Sequence, residues 1–230
     1  MKALARFLKR LLPRGRHPRT IRRGFYNGIR LDLDLQSELM IYAGIYEQET
    51  FSEMRRLARG CRGFVDLGAG RGELSIYFLR QPGVERVVAA EPSDTERVFF
   101  DSNLALNALR HDRRLEIHAG FAGEGEGAQW RTLDDLAAKA PSPLFIKIDI
   151  EGPEAQVLAS GRQALTAKDC RLLIETHSPE AEAGCIAQLN ALGYRTRIIS
   201  PAWWRVFMPE QRGNIPHNRW LVGWRPELLA

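Results

Sequence analysis

The sequence is poor in cysteine and has no long apolar run. Its 230 residues include three cysteines, Cys61, Cys170 and Cys185, and none stands at a CxxC or other metal-ligand spacing. Such sparse thiols are typical of a reducing compartment, so we expect buried, reduced cysteines, a cytoplasmic location and no metal centre. No stretch approaches the roughly 18 uninterrupted apolar residues of a membrane-spanning helix. These absences argue against a disulfide scaffold, a zinc domain and a transmembrane protein.

Acidic residues are absent from the first 31 positions, which hold ten Lys or Arg. The net charge of +5 therefore resides in this segment, and the rest of the chain is net acidic. Apolar residues recur at helical spacing up to Pro13, which ends the pattern. We expect residues 1–23 to form a basic amphipathic arm that lies on an anionic membrane surface, peripherally at the inner face, or docks on the domain. The arm lacks interleaved aromatic residues for stacking on bases, which disfavours nucleic acid as a partner.

Two further regions follow the arm. Residues 24–34 alternate around an Asn27-Gly28 pair, which is typical of a β-hairpin. Two short helical patterns complete a lead-in over residues 24–60. From residue 61 to residue 230, short apolar runs of strand length alternate with helical patterns, which predicts one α/β domain.

The alternation of strand and helix patterns in the main domain predicts a mostly parallel, doubly wound sheet. Near-continuous apolar strands are typical of strands buried on both faces by helices. No helix is predicted between the last two strands, so one of them should run antiparallel near the C-terminus. The predicted strands cover residues 63–67, 86–90, 114–118, 144–150, 171–176, 194–200 and 219–224.

The segment FVDLGAGRGELS, which starts at Phe64, joins the first of these strands to a helix through a glycine-rich turn. Gly68 and Gly70 match the first two positions of a dinucleotide fingerprint, but the third position is Glu73. An acid at a helix start is unfavourable beside a pyrophosphate, which disfavours a nicotinamide-dependent oxidoreductase. A phosphate-binding P-loop is disfavoured too, because no Gly-Lys-Ser/Thr follows.

An acidic residue ends each of the first two strands of this unit. Asp66 lies just before the glycine turn, and Glu91-Pro92 follows the second strand about 25 residues later. Ligands of such sheets bind beyond the carboxyl ends of the strands. Asp66 beside a glycine turn suits a ligand with positive charge, and Glu91 suits one with ribose hydroxyls. Together they favour S-adenosylmethionine as the cofactor, although Glu91 could instead cap the next helix and Asp66 could be a buried structural acid.

The fourth and fifth strands of the pattern end in further polar residues. Asp149 falls at the end of IKID, beside the glycine turn in the expected strand order, and Glu151 follows it. His177 follows the next strand, and its imidazole is the candidate general base. We expect Asp149 and Glu151 to face the transferred methyl group and, with His177, to surround the acceptor hydroxyl. Glu151 could position that hydroxyl or bind an optional divalent cation. Pairing of Lys147 with Asp149 and a structural histidine are the alternatives.

Several motifs occur in the order seen in FkbM-family methyltransferases, which the sequence resembles over roughly residues 20 to 226. They are IYEQETF, VDLGAGRGELS, AAEPS, NLALNAL, RTLDDL, IKIDIEGPEAQVLASG and LLIETH. The resemblance implies a Rossmann-like class I fold, S-adenosylmethionine as donor, and O-methylation of a sugar, glycan, lipid-linked or secondary-metabolite acceptor. It also implies that Glu47 contacts the amino acid end of the cofactor and that Asn107 supports the site. A non-catalytic membrane-surface adaptor that retains the fold is the remaining alternative.

The segment AGFAGEGEGAQW is shorter than in many members of that family. Its four glycines predict a mobile loop. Adenine contacts in such folds come from this region, so Gly120 and Phe121 are the candidates here. A short loop would leave the acceptor side open, which suits a large or chain-end substrate.

Overall fold

The computed structural model describes residues 12–200 and 217–228. The amphipathic part of the predicted arm, residues 1–11, lies outside them. The described chain opens with an antiparallel hairpin and two short helices. These are β1 (Arg16–Thr20), β2 (Arg30–Asp34), α1 (Leu39–Ala43) and α2 (Phe51–Leu57).

The main domain alternates strands and helices. Its strands, in chain order, are β3 (Gly63–Leu67), β4 (Arg86–Ala90), β5 (Leu115–His118), β6 (Phe121–Ala122), β7 (Trp130–Arg131), β8 (Leu144–Ile148), β9 (Cys170–Thr176), β10 (Arg195–Ile199) and β11 (Arg219–Trp224). Its helices are α3 (Glu73–Leu79), α4 (Asp94–Leu106), α5 (Leu133–Ala138), α6 (Glu154–Ala159), α7 (Arg162–Ala167) and α8 (Pro179–Ala191).

Seven of these strands form one sheet in the order β10-β11-β9-β8-β3-β4-β5. The five strands from β9 to β5 are parallel neighbours, whereas β11 runs antiparallel to both β9 and β10. The antiparallel strand near the C-terminus is therefore confirmed. The chain moves outward from β3 through β4 to β5, then returns to β8 on the other side of β3. This reversal of strand order places the switch point of the sheet between β3 and β8.

Each face of the sheet has its own apolar core. Consecutive strand residues point to opposite faces, so Phe64 and Phe145 belong to one core and Val65 and Ile146 to the other. The first core includes residues of the hairpin, α2, α3 and α4, and the second includes residues of α5, α6, α7 and α8. The doubly wound α/β arrangement predicted from the apolar strands is confirmed.

Two asparagines, Asn103 in α4 and Asn107 at its C-cap, attach the hairpin to the main domain. The Asn107 amide group donates to the carbonyl of Arg30 at 2.7 Å and accepts from its N–H at 3.0 Å. Asn103 accepts from the N–H of Asp32 at 2.9 Å and donates to the carbonyl of Arg71 in the glycine turn. The NLALN spacing places both amides on one side of the helix, because residues four apart share a face. Asn107 thus supports the hairpin, and only Asn103 reaches the glycine turn directly.

The hairpin and the loop after β5 differ from the sequence expectations. The first hairpin strand is β1, within the segment assigned to the basic arm, and residues 24–29 belong to its connection. The sequence RHPRT does not predict β1, because Pro18 and two arginines are atypical of a strand. They are tolerated here because β1 is an edge strand. The loop expected to be mobile is held by a Phe121–Trp130 ring stack and a β6–β7 ladder.

The cysteines are three separate buried thiols, and burial raises the pKa of each to about 12. This protonated, enclosed state is consistent with their role as small apolar residues. Within residues 12–200 and 217–228, no helix combines the length and hydropathy needed to cross a bilayer.

Candidate active site

The predicted site residues lie along one edge of the sheet. Asp66, Glu91, Asp149 and His177 stand at or just beyond the carboxyl ends of β3, β4, β8 and β9, respectively. These four strands are consecutive neighbours in the sheet, so their ends meet around the switch point between β3 and β8. Residues that are 111 positions apart in sequence are thereby brought into one site.

The glycine turn combines a close backbone approach with an open surface. Gly68 has a φ of 72°, and a Cβ added there would lie 1.8 Å from the carbonyl oxygen of Asp149. Gly70 also has a positive φ, but an added Cβ would meet nothing within 4 Å. The first glycine therefore lets β3 and β8 converge, and the second leaves backbone bare to an approaching ligand.

Glu91 bonds the end of β4 to the glycine turn. Its Oε2 accepts from the N–H of Gly70 at 2.8 Å, and its Oε1 accepts from the N–H of Ser93 at 2.8 Å. The carboxylate is nearly buried, and each oxygen retains a second lone pair. Glu91 thus has a fixed orientation at the turn. The helix cap that the sequence left as an alternative for Glu91 is supplied by the Ser93 side chain, which accepts from the N–H of Glu96.

Asp66 lies beneath the turn, not at its surface. Only 1% of the residue is exposed, and its Oδ2 accepts from the Ser75 hydroxyl at 2.7 Å. Its Oδ1 makes no hydrogen bond within the described part of the chain and lies 3.8 Å from the ammonium of Lys147. Burial raises the pKa of Asp66, while Lys147 opposes that rise.

Lys147 is a buried cation surrounded by acids. Its ammonium lies 3.1 Å from Asp149 Oδ2 and donates to the carbonyl of Gly68 at 3.3 Å. Burial alone would lower the pKa of Lys147, but Asp149, Asp66 and Glu47 raise it above its ordinary value. The Lys147–Asp149 pairing considered from the sequence is present, and it also includes the backbone of the glycine turn.

Tyr26 is a member of this acidic region that the sequence reasoning missed. Burial raises the pKa of its phenol, and Glu47, Glu73 and Asp66 raise it further. Glu47, expected to contact the amino acid end of the cofactor, is buried in a left-handed backbone conformation. The hairpin connection that carries Tyr26 lies far from the strand ends in sequence, and no local pattern points to the site. Hydrophobic clustering of Phe25-Tyr26 was the only available signal.

His177 and Asp149 face each other across the ends of β8 and β9. Their nearest atoms, His177 Nε2 and Asp149 Oδ1, are 4.0 Å apart. On its other side, His177 Nδ1 bonds to Glu154 Oε1 at 2.5 Å. This hydrogen bond, and then the charges of Glu154, Asp149 and Glu151, raise the pKa of His177 against the opposing effect of burial. Glu151 itself is exposed at the mouth of the site.

One oxygen or nitrogen each from Asp149, Glu175 and His177 falls within a group 4.8 Å across. Such a trio has the donor types of a divalent-cation site. Asp149 and Glu175 both have other partners, however, and the Lys147 ammonium already neutralises Asp149. The trio is thus a cluster of two acids and one histidine beside the ends of β8 and β9.

Phe121 and Pro92 mark the opposite end of the site. Both are exposed, Phe121 by 45%, and Phe121 stacks on Trp130 with ring centroids 4.7 Å apart. An exposed ring on a fixed support is suited to contact a flat ligand. The His118 imidazole anchors the same loop through the carbonyl of Gln129 at 3.0 Å. These residues lie after β4 and β5, on the side of the glycine turn away from His177.

Comparison with known proteins agrees with this architecture. A sequence profile described as the methyltransferase FkbM domain matches residues 80–196. The FkbM methyltransferase of Methylobacillus flagellatus KT aligns with a TM-score of 0.54 at 21% identity, over 72% of this chain and 44% of that one. The chain thus spans less than half the length of that relative. No curated protein sequence matches significantly.

Two solved O-methyltransferases share the fold at lower identity. The Bacillus cereus enzyme in complex with SAH aligns at a TM-score of 0.52 and 15% identity, over 77% of this chain and 80% of that one. TomG of Streptomyces achromogenes is involved in tomaymycin synthesis and was solved with SAM. It aligns at a TM-score of 0.50 and 13% identity, over 77% of this chain and 79% of that one. The shared architecture is the Rossmann-like class I methyltransferase fold.

Proposed function

The chain belongs to the FkbM methyltransferase domain family, and from this premise we propose that it is an S-adenosylmethionine-dependent O-methyltransferase. The acceptor is a hydroxyl of a sugar, glycan, lipid-linked or secondary-metabolite molecule. The family supports methyl transfer, and the chemistry of the site supports the cofactor and the hydroxyl acceptor.

The observation that carries the proposal is the position of Glu91 beside the bare backbone of Gly70. Glu91 is oriented by two main-chain donors, and lone pairs on both oxygens are left to accept from paired hydroxyls such as those of a ribose. The open space at Gly70 lets a ligand come within contact distance of the turn. Phe121 would lie against the adenine, and Pro92 would border it.

The electrostatics of the site also fit this cofactor. Asp66, Glu47, Asp149 and Glu73 all act on the same buried region, and Lys147 is the cation among them. A region with this excess of acid favours a ligand that carries positive charge. When bound, the cofactor supplies an activated methyl group on a positively charged sulfur.

The residues of this chain would align the acceptor and remove its proton. Asp149 follows β8, its main-chain carbonyl lies against Gly68, and its carboxylate lies 4.0 Å from His177 Nε2, which supports a place beside the methyl donor. Asp149 and Glu151 would hold the acceptor hydroxyl, and His177 would accept its proton at Nε2 as the new bond to carbon forms. A lone pair on Nε2 is required, so the neutral imidazole is the active form.

Calorimetry with S-adenosylhomocysteine and NAD tests the cofactor assignment. We expect saturable binding of S-adenosylhomocysteine and none of NAD, with a stabilisation of about 2.7 kcal/mol at 100 times the dissociation constant. Binding of NAD alone would support the oxidoreductase alternative, and binding of neither would support the non-catalytic adaptor. Labelled methyl transfer to saccharide and lipid fractions, followed by identification of methyl ethers, tests the acceptor class.

A further inference from the structure

Glu154 is a fully buried acid that the sequence reasoning did not place in the site. It begins α6 and has 0% exposure, yet it carries no Lys or Arg partner among the described ion pairs. A buried carboxylate is costly unless something compensates it. Its compensation comes from His177 Nδ1 and from the N–H of Gly152, which both bond to Oε1.

The loop between β8 and α6 is shaped to hold this carboxylate. Gly152 has a φ of 120°, a conformation that side-chain-bearing residues rarely adopt, and its N–H donates to Glu154 at 3.0 Å. Pro153 fixes the approach to the helix. The sequence EGPE therefore separates two acids with opposite placements, with Glu151 exposed and Glu154 buried.

The two nitrogens of His177 have contrasting environments. Nδ1 is bonded to the Glu154 side chain, and an ionised carboxylate only accepts hydrogen bonds, so this pairing favours a proton on Nδ1. Nε2 has no hydrogen-bond partner among the described residues, although the side chain is only 6% exposed, and it points toward Asp149. The hydrogen bond at one ring nitrogen determines the protonation of the other.

We propose that Glu154 is the positioning residue of this site, holding the imidazole of His177 as the Nδ1–H tautomer so that the Nε2 lone pair faces the acceptor. Its contribution to catalysis depends on the function proposed above, whereas the tautomer does not. Asp149, Glu151 and Glu175 are the other acids near His177, and the Asp149 carboxylate faces Nε2. Within residues 12–200 and 217–228, only Glu154 bonds Nδ1.

Nitrogen-15 NMR of the histidine rings in the full-length protein tests the tautomer without any acceptor. The chain has five histidines, and loss of one signal set in His177→Gln assigns the relevant ring. In the wild-type protein above the pKa of the ring, we expect a protonated Nδ1 and an unprotonated Nε2. An imidazole without such a partner carries its proton mainly on Nε2. A wild-type ring with its proton on Nε2 would overturn the proposal outright.

Two substitutions distinguish the hydrogen bond that Glu154 accepts from the negative charge that it carries. Glu154→Ala should return the ring to the Nε2–H form. Glu154→Gln retains an acceptor oxygen, so it should keep the Nδ1–H form and lower the pKa of the ring. Glu180→Gln removes an exposed acid from the first turn of α8 and should change neither property. An unchanged tautomer in a folded Glu154→Ala protein would contradict the proposal.

Two further measurements distinguish the role of Glu154 from the methyltransferase assignment and from metal binding. Retained S-adenosylhomocysteine binding with the opposite tautomer would reject the role of Glu154 and leave the methyltransferase assignment intact. Selective broadening of the His177 signals by micromolar Mn²⁺ would place a divalent cation beside the ring. That result would overturn the acceptor-facing role of the Nε2 lone pair, because metal ligation uses the same Nδ1–H tautomer. Once an acceptor is known, Glu154→Ala should lower kcat by up to about 10⁴-fold, as when a base is held in the wrong tautomer.

Discussion

The two halves of the site are held in different ways. In the donor half, the glycine turn and Glu91, the side-chain oxygens bond to main-chain N–H groups. In the half proposed to face the acceptor, which we call the acceptor half, the Asp149 side chain bonds to Lys147 and the Glu154 side chain bonds to His177. Glu154 also accepts from one main-chain donor, the N–H of Gly152. Main-chain contacts depend on the path of the backbone, which related folds share. Side-chain contacts depend on residue identity, so the acceptor half is where this chain can be specific.

The largest expected effect is a loss of turnover from a substitution in the acceptor half alone. His177→Ala removes the proposed base, so turnover should fall by about 10²–10⁴-fold. Affinity for S-adenosylhomocysteine should be unchanged, because His177 belongs to the other half. Turnover and calorimetry on one preparation measure both, with exposed His111→Ala as the control. Wild-type turnover in His177→Ala would mean that another group takes the proton.

A change at the junction should damage both halves. Gly68→Ala would place a methyl group 1.8 Å from the Asp149 carbonyl, where β3 and β8 converge. We expect a loss of about 2–4 kcal/mol in the free energy of unfolding, measured by urea denaturation. Gly60→Ala is the matched control, since its φ of 70° is similar but its added Cβ meets nothing within 4 Å. Equal losses in the two variants would mean that backbone strain alone, without the clash, explains the effect.

The smallest effect should be confined to the donor half. Glu91→Ala removes charged hydrogen bonds worth about 1.5–3 kcal/mol, so affinity for S-adenosylhomocysteine should fall roughly 10- to 100-fold. The thermal midpoint should also fall, because Gly70 and Ser93 lose their acceptor. Glu85→Ala, which breaks an exposed pair with Arg62, should leave the affinity unchanged. Unaltered affinity in a folded Glu91→Ala protein would mean that the ribose does not bind at Glu91.

The sequence predicted the elements whose signal is local. The strand at residues 63–67 and the strands that end before Glu91 and His177 are confirmed. Short, continuous apolar runs are typical of strands buried on both faces of a parallel sheet. The α4 cap is a local signal of the same kind, since the Ser93 side chain accepts from the N–H three residues on. Turn chemistry near Asn27-Gly28 indicated a hairpin, but its partner strand was missed because β1 is charged.

Long-range contacts could not be derived from one sequence. Tyr26 reaches the site only through the packing of the hairpin, and Glu154 reaches His177 only when β8 and β9 are neighbours. The candidate roles of Glu47, Asp66 and Phe121 remain predictions, because contact with a ligand is decided by its pose. Asp66 shows the difficulty, since strand position alone does not separate a residue beneath a turn from one on its surface.

Asn103 of α4 and its C-cap Asn107 also cover the outer edge of β2. An outer strand with unused N–H and C=O groups is a template for another strand, and such edges are where chains add to one another in fibres. Here the edge of β2 meets amide side chains that present the same donor and acceptor pattern as a neighbouring strand. The helix thus imitates a third strand that cannot itself be extended. The outer edge of β2 is thereby closed to a further strand without a covering loop.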